Sequence, residues 1–357
     1  MSPILLNPGP VTLTQRVRNA MLNPDLCHRE PEFADLQRAI REKLLRVYAL
    51  DNKVWAAGLL TGSGTAAVEA MISTLIPVDG KLLSIENGVY GERITKIAEQ
   101  YGIPLAVANF AWTDAIDCEQ LDRQLSEDRN ITHVAAIHHE TTTGRLNKLG
   151  EILEVCKNHK VLLLLDGVSS FGAENIPFHH DNLLACAATA NKCLHGVPGT
   201  AFVILKRNAL ATSHPRNLYL NIRAYIEQQD KDGTPFTQSV QTFYALNEAL
   251  DELFDEGGQA QRLRVYQTRM GKVREALHAQ NVQPLLPIDV CSAVLHAYEL
   301  PQGLSYESLQ ESIKAAGFVI YAGLGELANS LFRISMMGEI SGDDTGRLIQ
   351  SFTSAIS

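Results

Sequence analysis

The sequence predicts an α/β protein in which a large, mostly parallel sheet is covered on both faces by helices and is followed by a smaller α+β domain. Short runs such as "VLLLLD" (161–166) are apolar at every position, which is typical of strands buried on both faces. Segments with apolar residues at helical spacing separate these runs through the first two thirds of the chain. Beyond about residue 255 the pattern becomes a mixture of helices and strands that is typical of an α+β unit.

The elements of the large domain alternate regularly. In order, the patterns are a strand at 81–85, a helix in "GERITKIAEQYG", a strand in "PLAVANF", a helix near 117–127, a strand at 133–140, a helix in "LGEILEVCKNHK" and a strand at 161–166. In such sheets ligands bind beyond the carboxyl ends of the strands. The residues that follow each apolar run are therefore the candidates for a functional site.

The smaller domain begins with a long charged helix. Its patterns are a helix at 258–280, a strand in "CSAVLHAYEL", a helix from near Ser305, strands in "FVIYAG" and "LFRISMM", and a final helix from about Ser341. A chain of 357 residues is long enough for one large and one smaller domain. We divide it into an N-terminal segment that packs with the small domain (1–15), a large domain (16–254) and a small domain (255–357).

Composition narrows the class of protein. About 45% of the residues are hydrophobic and 20% are charged, the formal net charge is −9, and no basic run or long apolar run occurs. These values argue against a nucleic-acid partner and a membrane span. The six cysteines are scattered without CxxC spacing, and the N-terminus lacks the basic region of a signal peptide. We expect a cytoplasmic protein with reduced thiols.

A Gly/Ser/Thr turn, Gly62-Ser63-Gly64-Thr65, opens a strongly helical segment. The free N–H groups and positive dipole end of a helix N-terminus suit a phosphate group. An ordinary helix cap is the alternative. The turn matches neither a Walker A sequence nor a complete GxGxxG spacing, so a nucleotide site is disfavoured.

Asp166 and Lys192 follow two apolar runs of the predicted sheet. Asp166 would either cap its own turn or pair with a cationic group of a ligand, such as a protonated ring nitrogen. Lys192 stands between apolar runs beside a Gly/Pro-rich turn, where a lysine can serve as a nucleophilic amine that forms a Schiff base. The alternative for Lys192 is a side chain that extends to the surface.

Arg333 lies within an apolar, strand-like run of the smaller domain. A guanidinium in such surroundings can hold a carboxylate through two parallel hydrogen bonds, or it can form a structural ion pair. A phosphate cradle, an acid for a ring nitrogen, a Schiff-base lysine and a carboxylate clamp are together what a pyridoxal 5'-phosphate (PLP) enzyme acting on amino or keto acids requires.

Motifs along the whole chain carry a family resemblance. They are "ILLNPGPV", "GSGTAAVEAMIS", "NGVYGERI", "HHETTTGRLN", "LLLLDGVSSFGA", "ANKCLHGVPGTAFVI" and "FRISMMGEI". In these the chain resembles the class V, fold-type I PLP-dependent aminotransferases, and within them the 2-aminoethylphosphonate:pyruvate transaminases, with alanine/serine–glyoxylate aminotransferases as more distant relatives. The resemblance implies transfer of an amino group from 2-aminoethylphosphonate to pyruvate, giving phosphonoacetaldehyde and L-alanine, or the reverse reaction in phosphonate biosynthesis.

The resemblance also implies a role for individual residues. It implies that Lys192 is the Schiff-base lysine, that Asp166 is the partner of the pyridine nitrogen, and that Ser63, Gly64 and Thr65 form the phosphate-binding turn. It implies that Tyr90 stacks on the ring and that the Thr142 hydroxyl lies near the phenolic oxygen. It also implies that Thr237 contacts the phosphate from the neighbouring subunit and that Arg333 binds the substrate carboxylate. The implied position of Thr237 requires a homodimer with shared active sites.

The segment "DLCHREPEF" (25–33) is similar to one in the phosphonate enzymes. We hypothesise that Arg29, or His28 beside it, helps to bind the phosphonate group. The alternative is a surface loop that leads into a charged helix.

Three other interpretations are disfavoured. The pairs His138-His139 and His179-His180 are poor chelates, because adjacent residues of a strand point to opposite faces, and we expect no metal site. Cys193 could indicate a cysteine desulfurase of the same fold, but we expect it to pack behind Lys192. A cofactor-free binding protein of this fold remains a remote alternative.

Overall fold

The structure is a computed structural model that describes residues 3–356. Its strands are β1 (Ile4–Leu5), β2 (Trp55–Gly62), β3 (Lys81–Glu86), β4 (Leu105–Asn109), β5 (Ile131–Ile137), β6 (His139–Glu140), β7 (Arg145–Leu146), β8 (Leu162–Asp166), β9 (Leu183–Thr189), β10 (Gly199–Lys206), β11 (Leu295–Glu299), β12 (Phe318–Val319), β13 (Tyr321–Ala322) and β14 (Leu331–Ser335). Its α-helices are α1 (Gln15–Ala20), α2 (Pro31–Arg46), α3 (Gly64–Leu75), α4 (Val89–Gln100), α5 (Cys118–Glu127), α6 (Leu149–His159), α7 (Ala209–Thr212), α8 (Ile222–Gln229), α9 (Val240–Asp255), α10 (Gly258–His278), α11 (Tyr306–Ala315) and α12 (Gly342–Ile356).

A seven-stranded sheet forms the centre of the fold, in the order β2-β10-β9-β8-β5-β3-β4. Strand β10 runs antiparallel to both of its neighbours, and the other adjacent pairs are parallel. The prediction of an α/β fold with a large, mostly parallel sheet is confirmed.

The uniformly apolar strands are explained by burial on both faces of this sheet. In β8, Leu163 and Leu165 pack into one hydrophobic cluster, whereas Leu164 packs into another. All three side chains are fully buried. Because successive side chains of a strand point to opposite faces, a strand covered on both faces must be apolar at each position.

The C-terminal part of the chain has its own sheet and its own core. Strands β11, β14 and β13 form an antiparallel sheet, and a third hydrophobic cluster joins residues such as Tyr266, Phe332 and Phe352. Strand β1 pairs in parallel with β12, and Leu6 joins the same cluster.

The division of the chain into three units stays a prediction. The pairing of β1 with β12 supports the part that packs the N-terminal segment with the small domain. Met1, Ser2 and Ser357 belong to the predicted units but lie outside the described residues. Within residues 3–356, no helix combines the length and the apolar character needed to cross a membrane.

Candidate active site

Most of the predicted site residues lie at one edge of the seven-stranded sheet. Strand β8 ends at Asp166, and β9 ends three residues before Lys192. Strand β3 leads into the turn before Tyr90, and β2 leads into the turn that opens α3. Because these strands run in the same direction, their carboxyl ends meet at one edge, where ligands bind in folds of this kind.

Lys192 is held by the loop that follows Asp166. Its Nζ donates a hydrogen bond to Ser169 Oγ at 2.8 Å and lies 5.8 Å from the centroid of the Tyr90 ring. Gly9, at φ 107°, lies against the lysine stem, and a Cβ there would come within 3.1 Å of Lys192 Cγ. The packing of Gly9 against the stem and the hydrogen bond to the Ser169 hydroxyl thus hold the amine in place.

Asp166 is 8% exposed, and its Oδ1 accepts a hydrogen bond from the Val168 N–H at 2.8 Å. Burial raises the pKa of this carboxyl, while that hydrogen bond and the positive charges of Lys192 and Arg93 act in the opposite direction. Its Oδ2 accepts no hydrogen bond from residues 3–356. The carboxylate can therefore pair with a cationic group of a ligand.

The N-terminus of α3 offers donors for an anion. Ser63 caps the helix in an extended conformation without a side-chain capping bond, and the first helical amide bonded within this turn is that of Ala66. Gly64 packs tightly, since a Cβ there would come within 2.8 Å of Val168 Cγ1. Arg93, from α4, donates to Thr65 Oγ1 at 3.2 Å and adds a positive charge beside this turn. Free N–H groups next to a cation fit a phosphate group.

A buried carboxylate, Glu140, joins Tyr90 and Thr142. Its Oε2 accepts a hydrogen bond from the Tyr90 N–H at 3.2 Å, and its Oε1 accepts from the Thr142 N–H at 3.0 Å and from Thr142 Oγ1 at 2.7 Å. The Thr142 hydroxyl thus already donates within the protein. The neighbouring Thr141 Oγ1 is buried and has no hydrogen-bond partner in the part of the chain that the structure describes.

Arg333 lies in the middle strand of the small sheet and is 2% exposed. Its Nε donates to the Ala322 carbonyl at 2.8 Å, and its Nη1 donates to the Thr141 carbonyl at 2.9 Å. Burial lowers the pKa of this guanidinium, and the nearby Tyr90 and Glu140 partly offset that effect. Arg333 forms no salt bridge within residues 3–356, which favours a ligand carboxylate over a structural ion pair.

Two of the predicted residues are not joined to this group by any hydrogen bond or ion pair within residues 3–356. Thr237 is exposed in the loop before α9, and Arg29 is exposed just before α2. Neither forms a hydrogen bond or an ion pair within the described residues. Their predicted roles stay predictions.

Three residues of the site were not predicted as site residues: Ser169, Arg93 and Glu140. Ser169 contacts the lysine, Arg93 packs its guanidinium 4.8 Å from the centroid of the Tyr90 ring, and Glu140 holds two of the predicted contacts. In the sequence, these three residues share one feature: each is polar and stands within a few positions of a predicted contact. That feature is too common in loops to have been used alone.

Cys193 packs behind the lysine, as predicted. It is 1% exposed, its Sγ donates to the Ser169 carbonyl at 3.4 Å, and burial raises the pKa of its thiol to about 12. A thiol that stays protonated is a poor nucleophile. This environment disfavours the sulfur-transfer chemistry of a desulfurase.

The residues present fit the parts of PLP. A helix N-terminus with uncommitted amides and an adjacent arginine suits its phosphate, the Asp166 carboxylate suits a ring nitrogen, and the Tyr90 ring lies beside the Lys192 amine. The site therefore combines an amine, a carboxylate and a buried guanidinium at the boundary of the two sheets.

Comparison with known proteins identifies the family. The sequence model of the class-V aminotransferases matches residues 19–287. The chain is 34% identical over 351 residues to a 2-aminoethylphosphonate–pyruvate transaminase of Lysinibacillus sphaericus, covering 97% of this chain and 95% of the relative. It is 35% identical over 360 residues to the enzyme of that name from Vibrio vulnificus, covering 99% and 97%.

Solved structures show the same fold. An alanine–glyoxylate aminotransferase from Nostoc sp. superposes with a TM-score of 0.92 at 25% identity, covering 100% of this chain and 96% of that one. An aspartate aminotransferase of subgroup IV from Thermus thermophilus gives a TM-score of 0.90 at 24% identity, covering 99% of each chain. The chain belongs to the class-V aminotransferases and is a PLP-dependent enzyme.

Proposed function

We propose that this enzyme transfers the amino group of 2-aminoethylphosphonate to pyruvate, giving phosphonoacetaldehyde and L-alanine. The observation that carries the proposal is the identity of 31–35% over nearly the whole chain to relatives that bear this name. An alanine- or serine–glyoxylate aminotransferase is the second candidate, and the likeness to the Nostoc enzyme favours it.

PLP is the cofactor that the family implies, and the residues above fit it. We propose that Ser63, Gly64 and Thr65 hold its phosphate, Asp166 its ring nitrogen and Lys192 its aldehyde carbon, with Tyr90 against the ring. When bound, PLP supplies an electron sink for charge that develops on the carbon next to the donor amine. Thr142 stays our prediction for the hydroxyl near the phenolic oxygen.

Asp166 and Lys192 have separate tasks. The ionised Asp166 carboxylate keeps a cationic partner protonated, because the opposite charges attract in a buried site. Lys192 Nζ, once released from its resting contact with Ser169, takes a proton from the donor carbon that bears the amine and later returns a proton to the acceptor.

Arg333 orients the substrates. Its Nε and Nη1 are fixed on two carbonyl oxygens, so its remaining donors point in a constant direction and can bind a carboxylate or phosphonate oxygen. Donor and acceptor would use Arg333 in turn. Ping-pong kinetics are expected because the reaction consists of two half-reactions and the enzyme keeps the amino group between them. Arg29 is our proposal for a second phosphonate contact.

We further propose a homodimer in which Thr237 reaches the cofactor phosphate of the other subunit. The exposed position of Thr237 is compatible with a contact outside its own subunit. A cytoplasmic location stays a prediction from composition.

The half-reaction tests the substrate. The holoenzyme is mixed separately with 2-aminoethylphosphonate, alanine, serine and glutamate, and the loss of its cofactor absorbance at about 400–430 nm is followed. Fast loss with the phosphonate and recovery with pyruvate are expected. Fast loss with alanine or serine only, and recovery with glyoxylate, would move the assignment to the second candidate.

A further inference from the structure

Glu140 is a fully buried carboxylate that the proposed chemistry does not use. It accepts three hydrogen bonds, one from the N–H of Tyr90 at the start of α4 and two from Thr142 in the turn between β6 and β7. Hydrogen bonds to an ionised carboxylate are stronger than those between neutral groups. One side chain thus connects the two loops that carry two predicted cofactor contacts.

The chain makes room for this carboxylate at Gly88. A Cβ on Gly88 would lie 2.3 Å from Glu140 Cδ and 2.6 Å from Oε2, closer than real Cβ atoms approach. The turn before Tyr90 can therefore approach the carboxylate only without a side chain at position 88. The turn at Gly88 and the Glu140 side chain therefore pack closely against each other.

Charged and titratable groups surround Glu140 on neighbouring elements. They are Asp166 at the end of β8 and Arg333 in β14. Burial, with a contribution from Asp166, raises the pKa of Glu140 to about 7, and the bonds from Thr142 and Tyr90 act against that rise. A buried carboxylate beside another carboxylate is costly, and a neutral side chain could tie two loops together at a lower cost.

We propose that Glu140 is a positioning residue that orients the ring of the bound cofactor by fixing the Tyr90 backbone and the Thr142 side chain together. The inference rests on the proposed function, because the ligand is PLP. Within residues 3–356, Glu140 forms no hydrogen bond with Lys192 or with the predicted phosphate turn. Its effect therefore passes through Tyr90 and Thr142.

The first test compares Glu140→Gln with Glu174→Gln. Glu174 is a matched control, because it is also buried and accepts hydrogen bonds from Ser292 and the Ala293 N–H. The apo forms are titrated with PLP, and visible circular dichroism of the bound cofactor reports the orientation of its ring. We expect Glu140→Gln to weaken PLP binding by about tenfold and to reduce the dichroic band, as the loss of a charge-assisted bond would do. Glu174→Gln should stay within about twofold of the wild type.

The second test displaces the carboxylate without removing it. Gly88→Ala pushes into Glu140, whereas a Cβ on Gly150 in α6 meets nothing within 4 Å and provides the control Gly150→Ala. Gly88→Ala should reproduce the weaker binding and the smaller dichroic band, and Gly150→Ala should change neither. If Glu140→Gln does not fold, this pair decides.

The outcomes separate this inference from the proposed function. The role of Glu140 alone is overturned if the wild type binds PLP and transaminates while Glu140→Gln and Gly88→Ala match its PLP affinity and its dichroism. Weaker binding with an unchanged dichroic band also overturns it, since a purely structural tie between loops would give that result. Wild-type protein that does not bind PLP overturns both proposals.

Discussion

The carboxyl edge of the seven-stranded sheet and the segment 25–33 both carry predicted site residues, but they hold them very differently. At the sheet edge, defined hydrogen bonds hold Asp166, which is buried, and Lys192, which is half-buried. In the segment, Arg29 is exposed and forms no bond within the described residues, although Asp25 accepts a hydrogen bond from Gln241. The sheet edge therefore holds its predicted residues in defined geometry, whereas no bond within the described residues holds Arg29.

This difference predicts an order of effects. Groups that cannot move without breaking buried contacts supply preorganised chemistry, and their loss should be severe. An exposed surface arginine can add charge near a substrate, and exposed charges contribute little.

Lys192→Ala should reduce transamination by about 10⁴-fold or more, because it removes both the covalent anchor and the proton carrier. The melting temperature should change little, since Nζ makes its one hydrogen bond within the described residues to Ser169. Turnover with saturating donor and acceptor measures the effect. Lys53→Ala, which changes an exposed lysine before β2, is the control. Activity of Lys192→Ala within tenfold of the wild type would contradict the assignment.

Asp166→Asn should lower kcat/KM by about 10²- to 10³-fold, since it removes the charge while an amide oxygen can still accept the Val168 N–H bond. Stability should be unchanged or higher, because burial raises the pKa of Asp166 and ionising it in the fold is unfavourable. Steady-state kinetics and thermal unfolding measure the two effects. A variant that loses stability and keeps its activity would assign Asp166 to structure.

Acid should destabilise the protein, because several buried histidines are neutral in the folded state. Burial lowers the pKa of His133 and His296 to about 4 and of His138 and His139 to about 3. The unfolded chain, in which histidine titrates near 6.5, therefore binds more protons between about pH 4 and 6.5, so stability rises with pH across this window. Glu140, with its raised pKa of about 7, opposes this trend.

His133→Gln tests the contribution of one histidine. His133 is 4% exposed in β5, so the variant should lose less stability than the wild type on acidification, with a difference of about 3 kcal/mol near pH 4. Denaturant unfolding at a series of pH values measures it, and the exposed His278→Gln is the control. Parallel pH profiles for His133→Gln and the wild type would show that His133 is protonated in the folded protein.

Arg333→Lys should raise the KM for pyruvate by about 10- to 100-fold, because an ammonium cannot hold two carbonyls and a carboxylate in the geometry of a guanidinium. The expected change in kcat is smaller, since the proton carrier is untouched. Initial rates over a range of pyruvate concentrations give the split. An unchanged KM would leave Arg333 as a structural tie between the two sheets.

Arg29→Ala should raise the apparent KM for 2-aminoethylphosphonate by only a few-fold, as befits one exposed charge. The KM for pyruvate should not change, and Arg18→Ala, on exposed α1, is the matched control. Higher salt should shrink the difference, because screening weakens exposed charges. If Arg29→Ala and the wild type have the same KM for 2-aminoethylphosphonate, Arg29 does not belong to the site. A hundredfold rise in that KM would show that the segment 25–33 contributes as much as the sheet edge.

Much of the fold was predictable because burial leaves a local record in the sequence. The apolar run that ends at Asp166 is typical of a strand covered on both faces, and its end marked one edge of the sheet. The loops left no such record. Glu140 is fully buried, yet its neighbours in sequence are polar, so nothing local distinguished it from a surface acid.

The order of the amino acids is enough to predict the alternation of strands and helices, the family motifs, and the placement of Asp166 and Lys192 after two strands of one sheet. Three contacts became visible only in the folded chain: Ser169 accepts a hydrogen bond from the lysine, Arg93 lies beside the phosphate turn, and Glu140 joins Tyr90 to Thr142. Periodicity is a property of consecutive residues and reports which face is buried. Contacts between loops depend on which strands become neighbours and in what register, and no short stretch of the chain contains that information.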